Sequence, residues 1–476
     1  MTDLVLINPG AARTIYQNLS DDLSAIEPPT WCRMIAGWLI DKGFDVAILD
    51  QDAWRWTPEE VAEQVKKFNP RLVAIVVSGQ QPSASTQQMT GASLLAKAIQ
   101  GVPKIMVGNH PSALPARTLM EEDVDYVCDG EGPLTIAGLL KGDALESIPG
   151  LVWNKGLIIH NPRAALIPID ELHGDVWGLL PMGRYRSHTW QCLDGSPRQP
   201  YASIYTTLGC PFKCSFCCIN AFQHSSTYRR RTPAKVVEQI KHLHQMYGVK
   251  TFKIADEMFV LDPRHYLAIC EGLAALPFAH ELNIWAYARI DTVRPETLSL
   301  MRRAGIRWLA LGIESGSAHV RDGATKSLDE NDIRNVVKSI QDAGISVLGN
   351  FIYGLSDDTA ESMQATLDLA LDLNCEFSNH YGAMCYPGSK LYDETPESDR
   401  PQSWAAYSQH SYESTPLPTA TLSSADVLRF REYAFDRCFT DVGYLEMIDR
   451  KFGAAAVAHI KTMTSMKLKR KLLEVA

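Results

Sequence analysis

The sequence predicts an α/β protein: a doubly wound parallel sheet, then a partial (β/α)6 barrel, then a mostly helical C-terminal region. Three observations carry this reading. Short apolar runs alternate with helix-period segments over 1–142; periodicity lapses over 143–200 while Pro, Gly and Trp accumulate; and six strand-helix turns follow over 201–395, leaving 396–476 as the helical region.

In the first unit Leu4 to Ile7 reads as a strand, 31–42 has helical spacing and stops at Gly43, and 46–49 is a second strand ending at Asp50. Helix 58–68, strand 72–77, loop 78–85, helix 89–100 and strand 104–107 continue the βαβ rhythm. Ligands of such sheets sit at the carboxyl ends of the strands, which points to loops 8–10, 78–85, 108–112 and 129–133. The segment 143–200 reads as a linker packed on its neighbours. In the second unit strands are expected at 203–206, 251–255, 283–289, 308–312, 346–353 and 376–384, with helices at 233–247, 264–276, 296–304, 330–343 and 360–373. Barrel chemistry belongs to the loops after the strands. The chain is helical from about 426, and its basic end (Lys467, Lys469, Arg470, Lys471) reads as a solvated helix terminus, as Arg229, Arg230 and Arg231 read as a solvated loop or helix start.

Composition narrows the function classes. The 476 residues carry 46 Lys plus Arg against 55 Asp plus Glu, a net charge of −9, so no global field draws the chain to nucleic acid or anionic lipid. No run of eighteen apolar residues and no basic leader segment is present, so a cytoplasmic protein without a membrane span is expected. Eleven cysteines in a reducing compartment point to metal or redox chemistry where they cluster.

They cluster at the end of the first barrel strand. Cys210, Cys214 and Cys217 stand at CxxxCxxC spacing, with Phe216 before the last and a further Cys218 beside it. Three soft thiolates can hold three corners of an iron-sulfur cubane, leaving one iron open, whereas a structural zinc site needs a fourth ligand that the segment lacks.

This motif resembles that of the radical S-adenosylmethionine (SAM) superfamily, over roughly 202–390. The resemblance implies a [4Fe-4S] cluster on the three cysteines and reductive cleavage of SAM to a 5′-deoxyadenosyl radical, with an electron donor such as flavodoxin or ferredoxin. It also implies Asp256 or Glu257 for the SAM ammonium, Arg289 for its carboxylate, Glu314 for the ribose, and Gly349 to Gly354 beside adenine. The front unit, through Asn8 Pro9, Pro28 Pro29, Val107 Gly108 Asn109 His110 Pro111 and Gly130 Glu131 Gly132, looks like the cobalamin (B12)-binding-type domain fused ahead of many such barrels. Ser78, Gly108 and Asn109 are its candidate corrin contacts. His110 is the front unit's single histidine and no Asp-x-His-x-x-Gly segment is present, so a lower cobalt ligand from that motif is not available.

The expected function is cobalamin-dependent C-methylation of an unactivated carbon in a small molecule, such as a sugar or natural-product intermediate. One rival is a radical SAM diol dehydratase or deoxygenase that does not use cobalamin; a remoter one is a non-catalytic iron-sulfur or zinc protein. Loops 222–231 and 386–412, with Trp404, Tyr407, His410 and Tyr412, are the expected substrate readers. The sequence names no acid or base.

Overall fold

A computed structural model describes residues 2–79 and 81–474. Its front sheet has the order β2-β1-β3-β4-β5-β6-β7. β1 (Leu4–Asn8), β2 (Val46–Asp50), β3 (Leu72–Val77), β4 (Lys104–Gly108) and β5 (Tyr126–Cys128) run parallel, and β6 (Leu151–Asn154) and β7 (Ile158–His160) close the edge antiparallel. Helices cover both faces, which is why Leu72–Val77 is apolar and buried at every position. The loss of helical and strand periodicity past 142 therefore hides a hairpin that extends the front sheet, and the expected linker is in part sheet.

The strand order places the switch point between β1 and β3, whose crossovers leave in opposite directions. Loops 8–10 and 78–81 thus flank the crevice. The expected loop 78–85 is shorter than its run of small residues suggests, because Pro82 occupies the first turn of a helix Pro82–Ala98, a position its missing N–H suits.

The second sheet, β15-β14-β13-β12-β11-β8, is parallel throughout. It comprises β8 (Tyr201–Ile204), β11 (Thr251–Ile254), β12 (Asn283–Ala288), β13 (Ile306–Glu314), β14 (Ser346–Tyr353) and β15 (Phe377–Gly382); between β8 and β11 a two-stranded ribbon pairs β9 (Thr207–Leu208) with β10 (Arg229–Arg230). The helices Pro233–Tyr247 and Ala360–Leu373 and the strand Ser346–Tyr353 match the sequence expectation residue for residue.

Residues of the 143–200 segment plug the barrel floor. Trp190 sits 5.4 Å from Trp285, 5.1 Å from Trp308 and 5.9 Å from Phe377, and Gln191 donates to the carbonyls of Phe252 and Asn283 at 3.0 Å. Arg33, 1% exposed on the front helix Thr30–Asp41, ties the two sheets together through the carbonyls of Gly174 and Ser203, both at 2.7 Å, while stacking on Trp177. Helices Ser424–Thr440, Val442–Phe452 and Ala454–Ser465 pack beside β15.

The basic clusters are solvated in part: Arg230, Lys467, Lys469 and Lys471 are exposed, as expected, whereas Arg231 and Arg470 are buried. Arg229 is bonded to Glu131 and to the Ile167 carbonyl, Arg230 to Asp262, and Arg231 is buried on Gln239. Arg470, 4% exposed, is held by Glu432 and the Ser411 carbonyl. No helix among the described residues is long and apolar enough to cross a membrane.

Candidate active site

The carboxyl ends of both sheets open into one chamber of about 1080 Å³. Its front-domain wall is the switch-point crevice: Asn8 and Gly10 after β1, Gln51 and Asp52 after β2, and Ser78 and Gly79 after β3. Gln81, Ala84, Gln87 and Gln88 add one face of the following helix, at the i, i+3, i+6 and i+7 positions expected of a single helix face. Gln80 lies outside the described residues. The buried Gln88 Oε1 has no partner among the described residues, and amide N–H groups such as those on the corrin periphery would satisfy this acceptor.

The opposite wall is the cysteine loop. Cys210, Cys214, Phe216, Cys217 and Cys218 all line the chamber. Among the described residues no group of three His, Cys, Asp or Glu side chains is placed to hold a single metal ion. Three thiols facing a roomy chamber instead fit a cluster with an open corner. Burial pushes the Cys210 thiol up to about 11 and Cys217 well above its ordinary value, so a metal must displace their protons on binding. Cys217 is exposed, and its open side faces the chamber.

Around the thiols stand the charged groups at the strand ends. Glu257 follows β11, lines the chamber and accepts the Gly209 N–H at 3.2 Å; burial first, and Asp256 beside it, push its carboxyl up to about 8. Asp256 does not reach the chamber. It is fully buried and accepts from the Thr206 N–H at 2.6 Å and from the Thr206 hydroxyl, so it ties β11 to the end of β8, and of the two expected ammonium acceptors only Glu257 is available. Arg289 lines the chamber after β12, stacked at 3.8 Å on Phe212. Burial opposes its charge, but Asp291 and Cys214 hold it above the ordinary value.

Glu314 owes its direction to a register shift between Gly312 and Glu314 at the end of β13, which leaves it with φ of 67°. That left-handed backbone is costly for a residue with a side chain and is the kind of bulge that re-aims one. Its carboxylate is bonded to Lys326, also on the chamber wall. Sequence reading missed Lys326 because it lies twelve residues downstream, beyond a short helix Ala318–Gly323 that the pattern did not reveal.

Several expected contacts fall elsewhere. Gly349 and Gly354 are outside the chamber lining: a side chain on Gly349 would meet Phe351 and Cys375, and one on Gly354 would meet Val427. Asn350 and Ile352, on the alternate face of β14, line it instead. Gly108 and Asn109 are also absent from the lining, since β4 is one strand away from the switch point; Gly108 (φ 140°) is there because a Cβ would lie 2.0 Å from the Val77 carbonyl oxygen. His110 is buried beneath, against Thr86 and Trp404. Of the expected substrate readers, Trp404 and Tyr407 are packing residues and Tyr412 is an exposed partner of Glu474, whereas Tyr386, Gln409 and His410 line the chamber.

A doubly wound domain and a three-cysteine barrel thus share one chamber. Comparison agrees: residues 204–370 match the Radical SAM superfamily and residues 21–140 the B12 binding domain, so the chain joins a B12-binding domain to a radical SAM domain. An uncharacterized methyltransferase of Pyrococcus horikoshii is 29% identical over 382 residues, 77% of this chain and 78% of that protein. An anaerobic magnesium-protoporphyrin IX monomethyl ester cyclase of Cereibacter sphaeroides is 24% identical over 82% of this chain, which spans 63% of that protein. The solved structure of the radical SAM methyltransferase TsrM from Kitasatospora setae, with tryptophan and a SAM analog bound, shares the fold at a TM-score of 0.68 and 16% identity, over 98% of this chain and 99% of that one.

Proposed function

We propose that this protein is a cobalamin-dependent radical SAM methyltransferase acting on a carbon of a small molecule. The observation that carries the reading is the shared chamber: the switch-point crevice of the B12-binding domain and the three thiols of the barrel line one volume. When bound, the cluster and SAM supply a 5′-deoxyadenosyl radical and cobalamin supplies the methyl group. Cys210, Cys214 and Cys217 would hold the cluster. Glu257 would accept the SAM ammonium and Arg289 would meet its carboxylate, while Glu314, braced by Lys326, would take the ribose hydroxyls. Ser78 and the Gln81, Gln87 and Gln88 face would meet the corrin. The floor of Trp190, Trp285 and Trp308 keeps bulk water out from below, which protects a reactive carbon centre.

The dehydratase reading finds no support in the relatives, and the relative named a methyltransferase is matched over more of its own length than the cyclase is. The test is anaerobic reconstitution with iron, sulfide and reduced hydroxocobalamin, followed by SAM. Stoichiometric S-adenosylhomocysteine per cobalamin, alongside 5′-deoxyadenosine, is expected. Formation of 5′-deoxyadenosine alone, with no cobalt retained, would overturn the proposal.

A further inference from the structure

We infer that Arg431 forms an anion-binding subsite in the chamber wall, by which the enzyme takes a small-molecule substrate bearing a carboxylate or phosphoryl group. The word substrate rests on the proposed function; the anion site itself rests on the following geometry.

Arg431 lies on the helix Ser424–Thr440, is 4% exposed and lines the chamber. Its Nε donates to the His380 carbonyl at 2.8 Å and its Nη1 to Glu432 Oε1 at 3.0 Å, while Nη2 has no hydrogen bond among the described residues. The same Glu432 Oε1 also accepts from Arg470 Nε at 2.9 Å. Two buried guanidiniums therefore share one carboxylate.

The surrounding groups do not make up the difference. Lys467 and Asp436 pair with each other at 2.6 Å, and burial together with Arg431 and Arg470 holds His410 well below its ordinary value, hence neutral. His380 is likewise neutral, pushed down to about 3 by burial and by Arg431. One positive charge remains uncompensated in a buried site, an arrangement that is expensive unless an anion arrives. By contrast, the other buried cations on the chamber wall each have a carboxylate of their own: Arg289 with Asp291, Lys253 with Glu27, and Lys326 with Glu314.

A guanidinium edge suits carboxylate and phosphoryl oxygens alike. His410 lines the same wall, its buried Nδ1 without a partner among the described residues. Arg431, Arg470 and His410 all lie outside residues 21–140 and 204–370, so neither matched domain supplies this subsite. The anion could come from a substrate or from the phosphodiester that cobalamin carries, and the test separates the two.

Holoprotein reconstituted with cluster, SAM and hydroxocobalamin is titrated calorimetrically with inorganic phosphate and with acetate at constant ionic strength, beside cobalamin-free protein. Saturable binding in the holoprotein is expected. Arg431→Met should weaken it at least about ten-fold, the scale of one lost charge-assisted hydrogen bond, with Arg431→Lys intermediate. Glu432→Gln removes the shared carboxylate and should tighten binding several-fold even if it lowers the melting temperature, an effect that a purely structural brace would not produce. No saturable binding by wild type, or a Glu432→Gln variant that binds no more tightly, overturns the site. Binding confined to cobalamin-free protein assigns the anion to the corrin and overturns the substrate reading. Since none of these readouts requires methyl transfer, failure of the proposed function and failure of the anion site are distinguishable.

Discussion

Arg289 Nη1 lies 3.7 Å from Cys214 Sγ while Nε and Nη2 of the same guanidinium fork onto Asp291 at 2.9 and 3.0 Å. One side chain thus joins the cysteine loop to the end of β12. It is stacked on Phe212 of that loop as well. Arg289→Lys keeps the charge but loses both the fork and the planar stack. The expected outcome is weaker SAM binding together with lower iron retention, measured by calorimetric titration and iron count on reconstituted protein. Full iron content with weakened SAM binding would confine Arg289 to the SAM carboxylate.

The chamber cysteines separate by their spacing. Replacing Cys210, Cys214 or Cys217 singly by Ala should abolish iron-sulfur absorption and SAM cleavage, because three ligands leave none to spare. Cys218 also lines the chamber, but it lies outside the CxxxCxxC spacing. Cys218→Ala should therefore retain the broad absorption and most of the iron. Loss of the cluster in Cys218→Ala would make it a ligand.

Gly108 offers a test of the front sheet. Its φ of 140° and the 2.0 Å approach of a built Cβ to the Val77 carbonyl oxygen mean that even Ala forces β3 and β4 apart. Gly108→Ala should cost at least about 3 kcal/mol, seen as an early first transition in urea. Cobalamin would be lost with the domain and not by exclusion from a pocket. Gln88→Leu, which removes the orphaned chamber-facing amide, should weaken cobalamin retention with little change in that transition.

Periodicity carried β1 to β5 and the barrel because those strands are buried and parallel, so they read as apolar runs with helices between them, whereas the antiparallel β6 and β7 escaped it. It could not carry strand order, and Gly108 and Asn109 were misplaced for that reason: the crevice belongs to β1 and β3. Alternation explains the difference at β14, where Gly349 was expected at the site and Asn350, one residue along and on the other face, lines the chamber. Glu314 was legible from its place at a strand end, but the bulge that turns it and the Lys326 that holds it depend on register and on tertiary approach. The grouping of the three thiols on the chamber wall was legible because their spacing is local. Arg431 was not, since its meaning depends on Arg470 and Glu432 meeting across 38 residues of sequence.

Asp52 gives a prediction with a definite sign. It lines the chamber after β2, held by the N–H groups of Ala11 and Ala12, and burial first, then Asp50, push its carboxyl up to about 7. In the unfolded chain an aspartate titrates near 3.9. Between those values the folded protein keeps a proton that the unfolded chain has released. Stability therefore falls as pH rises through that window and levels off above it. Asp52→Asn lacks this dependence. Its stability relative to wild type should climb from about pH 4 to pH 7 by up to about 1 kcal/mol per pH unit and then stay constant. Urea titrations of both proteins at a series of pH values measure it. A difference that shrinks with rising pH would show that Asp52 is ionised in the folded chain.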